Sequence, residues 1–117
     1  MPIYDPGDVV TVPFPFTDSR QERRRPAVVM SARRLSTRAR QYVLAMVTSA
    51  HHERWPFDVP VADQASAGLP APSVVRWKLF SLDASLVLRR IGSLGTEDRR
   101  ALRRRLGEAL LPAERAR

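Results

Sequence analysis

The side chains best suited to chemistry in this sequence fall in three short stretches. Arg23-Arg24-Arg25 stands directly before Pro26, Thr48-Ser49 stands shortly before His51-His52, and Arg76 and Lys78 flank Trp77. A guanidinium is a rigid fork of donors that can bridge two oxygens of a phosphate. A threonine hydroxyl both donates and accepts, and histidine is the residue type that most readily exchanges a proton near neutral pH. The chain has no cysteine and only two histidines. A metal site needs three or four convergent ligands, so neither a metal nor any other cofactor is expected. Each stretch also has an ordinary reading: a solvated basic loop for Arg23-Arg24-Arg25, a strand-end threonine bonded to nearby backbone for Thr48 with loop histidines at His51 and His52, and a solvent-facing strand edge for Arg76 and Lys78.

The rest of the chain must supply the frame. A length of 117 residues suits a single domain spanning 1–117. Hydrophobic residues make up 44%, enough for a core, and there is no run of about 18 apolar residues to span a membrane. Met1-Pro2-Ile3-Tyr4-Asp5-Pro6-Gly7-Asp8 lacks the basic-then-apolar pattern of a secretory signal. With no cysteine to pair either, a cytoplasmic location is expected. The sequence has 20 lysines and arginines against 12 acidic residues, a formal charge of +8, and all of the 20 except Lys78 are arginine. Such a chain attracts polyanions: RNA, DNA, acidic proteins or anionic membranes. Arginine-rich composition also follows from genome base content and solubility, so charge by itself leaves the partner open.

Pro6-Gly7-Asp8 reads as a turn that starts a β-branched strand at 9–12, and the alternate prolines of Pro13-Phe14-Pro15-Phe16 end its regular pairing. Residues 17–25, polar throughout, read as a mobile loop. A second strand follows at 27–30, then an arginine-rich loop at 33–40. A longer strand at 42–47 ends on Thr48-Ser49, and its apolar run calls for cover on both faces. Residues 57–61 read as an edge strand because Pro60 lacks a donor, and 63–68 as one helical turn stopped by Gly68 and Pro70. Strands at 73–79 and 86–91 meet at a corner, Asp83-Ala84-Ser85. The last element is a helix capped by Thr96, with Glu97 and Asp98 in its first turn and Pro112 marking its end. Leu102, Leu106 and Leu110 give it one apolar face, and Arg99, Arg100, Arg103, Arg104 and Arg105 read as a solvated one. Short strands with one terminal helix predict a mainly β fold, a small curled sheet or barrel with the helix packed across it.

Four segments, in order, resemble the MazF/PemK toxin family. They are Pro6-Gly7-Asp8-Val9-Val10 with Val12-Pro13-Phe14-Pro15-Phe16-Thr17-Asp18; Arg24-Arg25-Pro26-Ala27-Val28-Val29; Ala45-Met46-Val47-Thr48-Ser49; and Pro72-Ser73-Val74-Val75-Arg76 followed by Lys78-Leu79-Phe80-Ser81-Leu82-Asp83. The resemblance covers essentially the whole chain. It implies a partly open SH3-like barrel of the CcdB/PemK-like kind with a C-terminal α-helix, forming a homodimer with an RNA groove near its interface. It implies a metal-independent endoribonuclease that cuts single-stranded RNA at short motifs, through a 2′,3′-cyclic phosphate, and is neutralised by a cognate antitoxin laid over that groove. It also implies that the arginine before the proline and the threonine ending the third strand, here Arg25 and Thr48, are catalytic.

Metal-free cleavage of RNA needs the ribose 2′ hydroxyl to attack its own phosphate. Donors must meet the charge that builds on the phosphorane, a base must take the 2′ proton, and the 5′ oxygen must gain one. A guanidinium at Arg25 suits the charge and is a poor general base. Thr48 suits holding the phosphate. Arg24, Ser49, Arg76, Lys78 and Trp55 are expected to bind RNA, Trp55 by stacking on a base; Phe57 and Trp77 read first as core. Two positions depart from the family pattern. Lys78 stands where members with an arginine at the place of Arg76 carry an aspartate, and Ala50 where a glutamine often follows the Thr-Ser pair. Lys78 removes an acid–base group and adds a phosphate-binding charge. That leaves the general base open, with His51 and His52 as groups of suitable chemistry. Two other function classes stay open: a gyrase poison of the CcdB type, sharing the fold without the catalytic set, and a basic RNA-binding module that has lost catalysis.

Overall fold

The computed structural model describes residues 2–14, 23–111 and 113. Six strands form one sheet: β1 (Asp8–Phe14), β2 (Arg23–Val29), β3 (Gln41–Ser49), β4 (Val59–Pro60), β5 (Ser73–Asp83) and β6 (Arg89–Ser93). Helix α1 (Arg33–Ala39) joins β2 to β3, and α2 (Thr96–Leu110) follows β6. The strand order is β4-β5-β3-β2-β1-β6 and every pairing is antiparallel. The fold is mainly β, a curled sheet with a terminal helix, as the element pattern predicts.

Both faces of the central strands are buried. Val9, Val28, Ala45 and Val75 pack on one side with Leu94 and with Leu102 of α2, while Val10, Val12, Ala27, Val29 and Leu44 pack on the other with Tyr4, Tyr42, Leu82 and Val87. Neighbours such as Val9 and Val10 therefore serve opposite cores, which is why these strands are unbroken apolar runs. Each fully buried valine contributes about 1.5–3 kcal/mol relative to exposure.

The sheet comes apart at one place. β1 and β2 pair from Val9↔Val28 to Phe14↔Arg23, and β3 and β5 pair from Gln41↔Asp83 to Ser49↔Ser73. Between these two ribbons, β2 and β3 pair only at Ala27↔Met46, Val28↔Ala45 and Val29↔Leu44. Met30 N–H donates to Val43 O on β3, while Val29 O accepts from Gly7 N–H on the other side. Backbone groups alternate in direction along an antiparallel strand, so Val28 and then Pro26 turn toward β3. Pro26 has no N–H to extend the ladder, and from there the ribbons separate. On the far side of β3 the register shifts between Ala45 and Met46, where Ala45 faces Leu79 and Met46 faces Arg76. Trp77 and Lys78 are the residues left over in that bulge, which bends β5.

Several expectations are corrected here. β1 continues through Pro13 to Phe14, because β6 has already stopped at Thr11↔Arg89 and Pro13 meets only β2. Arg23, Arg24 and Arg25 are strand residues and not loop; residues 15–22, the rest of the expected loop and of the proline-rich run, lie outside the described residues. Residues 33–39 form α1 rather than a loop. It is held by a 2.8 Å bond between Ser36 Oγ and Ser31 Oγ and by a bidentate pair of Arg33 with Asp5, at 2.8 and 2.9 Å. Residues 84–86 make a 3₁₀ turn, so β6 begins at Arg89 and not at Leu86. The edge strand shrinks to Val59–Pro60. Residues 64–68 turn without forming a helix, and Gly68, at φ +70°, packs so closely that a Cβ would lie 2.0 Å from Ile91 O. The N-cap of α2 is Gly95, with Thr96 the first helical residue, and Leu110 is 45% exposed, so the apolar face ends before it. Pro112 lies outside the described residues.

α2 is anchored by Asp98. Its buried carboxylate accepts from Ala62 N–H and Asp63 N–H, both at 2.9 Å. Asp98→Asn puts an amide N–H against one of these donors, and a buried donor left without an acceptor costs about 1–3 kcal/mol. Urea unfolding is expected to show a loss of that size, and an unchanged midpoint would refute the anchoring role.

Candidate active site

Where the two ribbons separate, a cleft of about 210 Å³ opens. Phe14 of β1 and Arg25 of β2 form one wall; Met46, Val47 and Thr48 of β3, Arg76 and Lys78 of β5, and Trp55 from the loop after β3 form the rest. Five of the residues singled out in the sequence thus meet: Arg25, Thr48, Arg76, Lys78 and Trp55. Arg24 and Ser49 do not line the cleft, because side chains alternate along a strand and their neighbours Arg25 and Thr48 face it. Ser49 Oγ instead accepts from His51 N–H at 3.2 Å.

Arg25 Cζ lies 6.0 Å and Lys78 Nζ 5.5 Å from the centre of the Phe14 ring, so one aromatic face holds two cations. Among the described residues no carboxylate forms an ion pair with either. Arg76 is in a different situation. As its alternation with Val75 and Trp77 predicts, it turns away from the core those two join. Its Nε and Nη2 donate to Asp58 at 3.2 and 2.9 Å, and Nη2 also donates to Glu53 O at 2.7 Å. The pair is well covered, with side-chain exposures of 11% and 6%. Its hydrogen bonds to the Asp58 carboxylate hold the Arg76 pKa above the usual arginine value.

This ion pair shapes the loop at 50–58. Asp58 also accepts from Trp55 N–H at 3.0 Å, and the Arg76 guanidinium lies 4.9 Å over the Trp55 ring, which is 45% exposed. Phe57 adopts φ +65°, unusual for a bulky residue, and is held there by Trp77 Nε1, which donates to Phe57 O at 2.7 Å. Arg105 of α2 stacks on the Phe57 ring at 5.7 Å. On the opposite side, Thr48 Oγ1 is 2.8 Å from His52 Nδ1. Sequence reasoning missed Phe14 and Asp58. Phe14 sat in a run read as irregular, and nothing in the sequence marks Asp58 as the partner of an arginine 18 residues on.

A larger hollow of about 480 Å³ runs along α2, lined by apolar Val29, Met30, Leu102 and Leu106 and by Arg99, Arg100 and Arg103. It shares no residue with the cleft. Arg99 is less free than a solvated face implies: its Nε donates to Leu94 O at 2.8 Å and its Nη1 to Pro6 O at 3.2 Å. Among the described residues no group of three histidines or carboxylates could hold a metal ion, and no helix is long and apolar enough to cross a membrane.

The sequence matches the PemK-like, MazF-like toxins of type II toxin–antitoxin systems over residues 5–110. The chain belongs to this family. Among solved structures, the MazE–MazF complex of Deinococcus radiodurans is similar, with 23% identity, coverage of 96% of this chain and 100% of that one, and a TM-score of 0.76. The toxin MazF-mt6 of Mycobacterium tuberculosis shares 20% identity over 92% of this chain and 99% of its own, with a TM-score of 0.73. An endoribonuclease from a mycobacterial species in complex with its cognate antitoxin shares 15% identity over 95% and 99%, also with a TM-score of 0.73. At these identities the likeness is one of fold, the curled half-barrel with its C-terminal helix. No curated protein sequence matches the chain.

In this MazF/PemK-family toxin, Asp58 is expected to hold the cleft's shape. Asp58→Ala leaves a covered guanidinium without its partner and is expected to lower stability by about 3 kcal/mol. Backbone amides at 55–58 are expected to exchange faster. Asp58→Leu combined with Arg76→Leu should recover most of the stability in denaturant titration; equal losses in the single and double variants would refute the ion pair's role.

Proposed function

We propose that this toxin is a metal-independent endoribonuclease that cuts single-stranded RNA at short sequence motifs. We further infer that it works as a homodimer in the cytoplasm and is neutralised by a cognate antitoxin. The observation that carries the reading is the cleft between the ribbons, where the Arg25 guanidinium and the Thr48 hydroxyl stand on facing strands beside Lys78. Its lining offers cations, hydroxyl and aromatic rings, the groups that grip a phosphodiester chain, and no constellation of metal ligands. The MazE–MazF complex and the mycobacterial endoribonuclease bound to its antitoxin support the same activity and partner for this chain.

In the reaction the 2′ oxygen bonds to phosphorus, the bond to the 5′ oxygen breaks, and the products carry a 2′,3′-cyclic phosphate and a 5′ hydroxyl. Arg25 bridges two phosphorane oxygens as their charge grows; preorganised donors of this sort contribute roughly 3–4 kcal/mol each. Thr48 donates to the phosphate, and Lys78 adds charge where other members place an acid. Trp55 stacks on a base. Arg76 acts through its hold on Trp55 and Asp58, and Arg24 and Ser49 meet RNA beyond the cleft. The charge of +8 draws in RNA and acidic antitoxin segments alike, and both associations weaken with salt.

Cleavage is expected to proceed in excess EDTA and to leave the cyclic phosphate; strict dependence on a divalent ion would overturn the mechanism. Arg25→Lys is expected to cut nearly as slowly as Arg25→Ala in single-turnover assays, with RNA affinity changed far less, because lysine keeps the charge and loses the fork. Arg24→Lys, on the other face of β2, is expected to be mild. An Arg25→Lys variant with half or more of the wild-type rate would reduce Arg25 to electrostatic attraction alone.

A further inference from the structure

We propose that His52 is the general base that takes the 2′ proton, held in position by Thr48; the proposal rests on the ribonuclease reading. Thr48 Oγ1 and His52 Nδ1 are 2.8 Å apart, which ties an imidazole to a hydroxyl that lines the cleft together with Arg25. The backbone supports this placement. Ala50 N–H donates to Pro72 O at 3.0 Å, His51 N–H to Ser49 Oγ at 3.2 Å and His52 N–H to Ser49 O at 3.2 Å. These bonds close a tight turn directly after β3 and bring the side chain at 52 back to the one at 48. His51 enters the turn through its backbone, which separates two histidines that the sequence could not tell apart.

The other groups around the cleft are poorly suited to accept a proton. Arg25 of β2 and Lys78 of β5 are cationic donors, and the third cation, Arg76, is bonded to Asp58. The Asp58 carboxylate already accepts three hydrogen bonds, two from Arg76 and one from Trp55. Glu53 follows His52 in the loop and supplies its carbonyl to Arg76. Among the described residues the Glu53 carboxylate and the His52 imidazole remain, and of the two it is the imidazole that is bonded to the hydroxyl of Thr48, with chemistry that suits general-base work.

With Nδ1–H donating to Thr48 Oγ1, Nε2 carries the free lone pair. The 2′ proton passes to Nε2 as the 2′ oxygen bonds to phosphorus. The bond to the 5′ oxygen breaks, that oxygen takes a proton from solvent water, and the imidazolium returns its own to solvent. The Thr48 O–H remains available to donate to a phosphate oxygen, so a single hydroxyl orients the base and holds the substrate.

His52→Asn tests the assignment, because asparagine can still donate to Thr48 but cannot relay a proton. Single-turnover cleavage of a single-stranded RNA is measured in EDTA from pH 5 to 8. The wild-type rate is expected to climb with pH and level off. His52→Asn is expected to be about 10²-fold slower or more at the plateau and to lack that limb, with RNA affinity and thermal unfolding unchanged. Exogenous imidazole is expected to restore part of the rate to His52→Gly, while His51→Asn stays within about threefold of wild type. A His52→Asn variant that keeps both the rate and the pH limb, beside an active wild type, would overturn this assignment alone. A wild-type protein that cuts no RNA would overturn the ribonuclease reading and this inference with it.

Discussion

Along β2, Met30, Val28 and Pro26 are the residues whose backbone groups turn toward β3, and the third of them has no hydrogen to give. That missing donor lies at the point where the β1–β2 ribbon leaves the β3–β5 ribbon. Everything of chemical interest lies just past it. Arg25 is the next residue along β2, and Thr48 stands two residues beyond Met46, the last β3 residue paired with β2. The dipeptide Arg25-Pro26 therefore has two linked roles: the proline opens the sheet and the arginine occupies the opening.

Charge in the opening is arranged by how each cation is balanced. Arg76 is bound by Asp58 and uses that bond to hold Trp55 and the strained Phe57 in place. Arg25 and Lys78 have no ion pair among the described residues and lie against the ring of Phe14, a weak attraction for two positive charges. One cation is structural, and the other two line the cleft without a carboxylate partner among the described residues. The bulge that leaves Trp77 and Lys78 unmatched against β3 serves both purposes. It sends Trp77 toward the core, where its indole N–H holds the loop, and Lys78 toward the cleft.

The sequence made the strand centres legible because their residues are buried on both faces and so form unbroken β-branched runs. Family likeness made Arg25 and Thr48 legible, Lys78 stood out as a departure from that likeness and Trp55 as an aromatic suited to stacking, and the structure brings those four together with Arg76. What stayed hidden depends on pairing across distance. Arg23, Arg24 and Arg25 look like loop because nothing in a charged triplet signals the β1 partner it meets. α1 looks like loop because it has no apolar stripe: Leu35 is 49% exposed, and the helix is held by Ser31, Ser36, Arg33 and Asp5 instead. Leu86 and Val87 look like strand because burial of Val87 in a turn has the same composition as burial in a sheet. The separate fates of His51 and His52 follow from one tight turn, whose hydrogen bonds no spacing rule reveals.

The burial of both faces also separates the residues that hold the fold from those that line the opening. Truncating Val9 or Val28 in one core, or Leu44 in the other, leaves a cavity and lowers stability. Exposed positions such as Arg24, His52, Trp55 and Lys78 lie beyond those cores, and changes there barely touch stability. Selection can therefore rewrite what the opening recognises while the paired strands hold still. Solved structures with 15–23% identity to this chain share its fold, with TM-scores of 0.73–0.76.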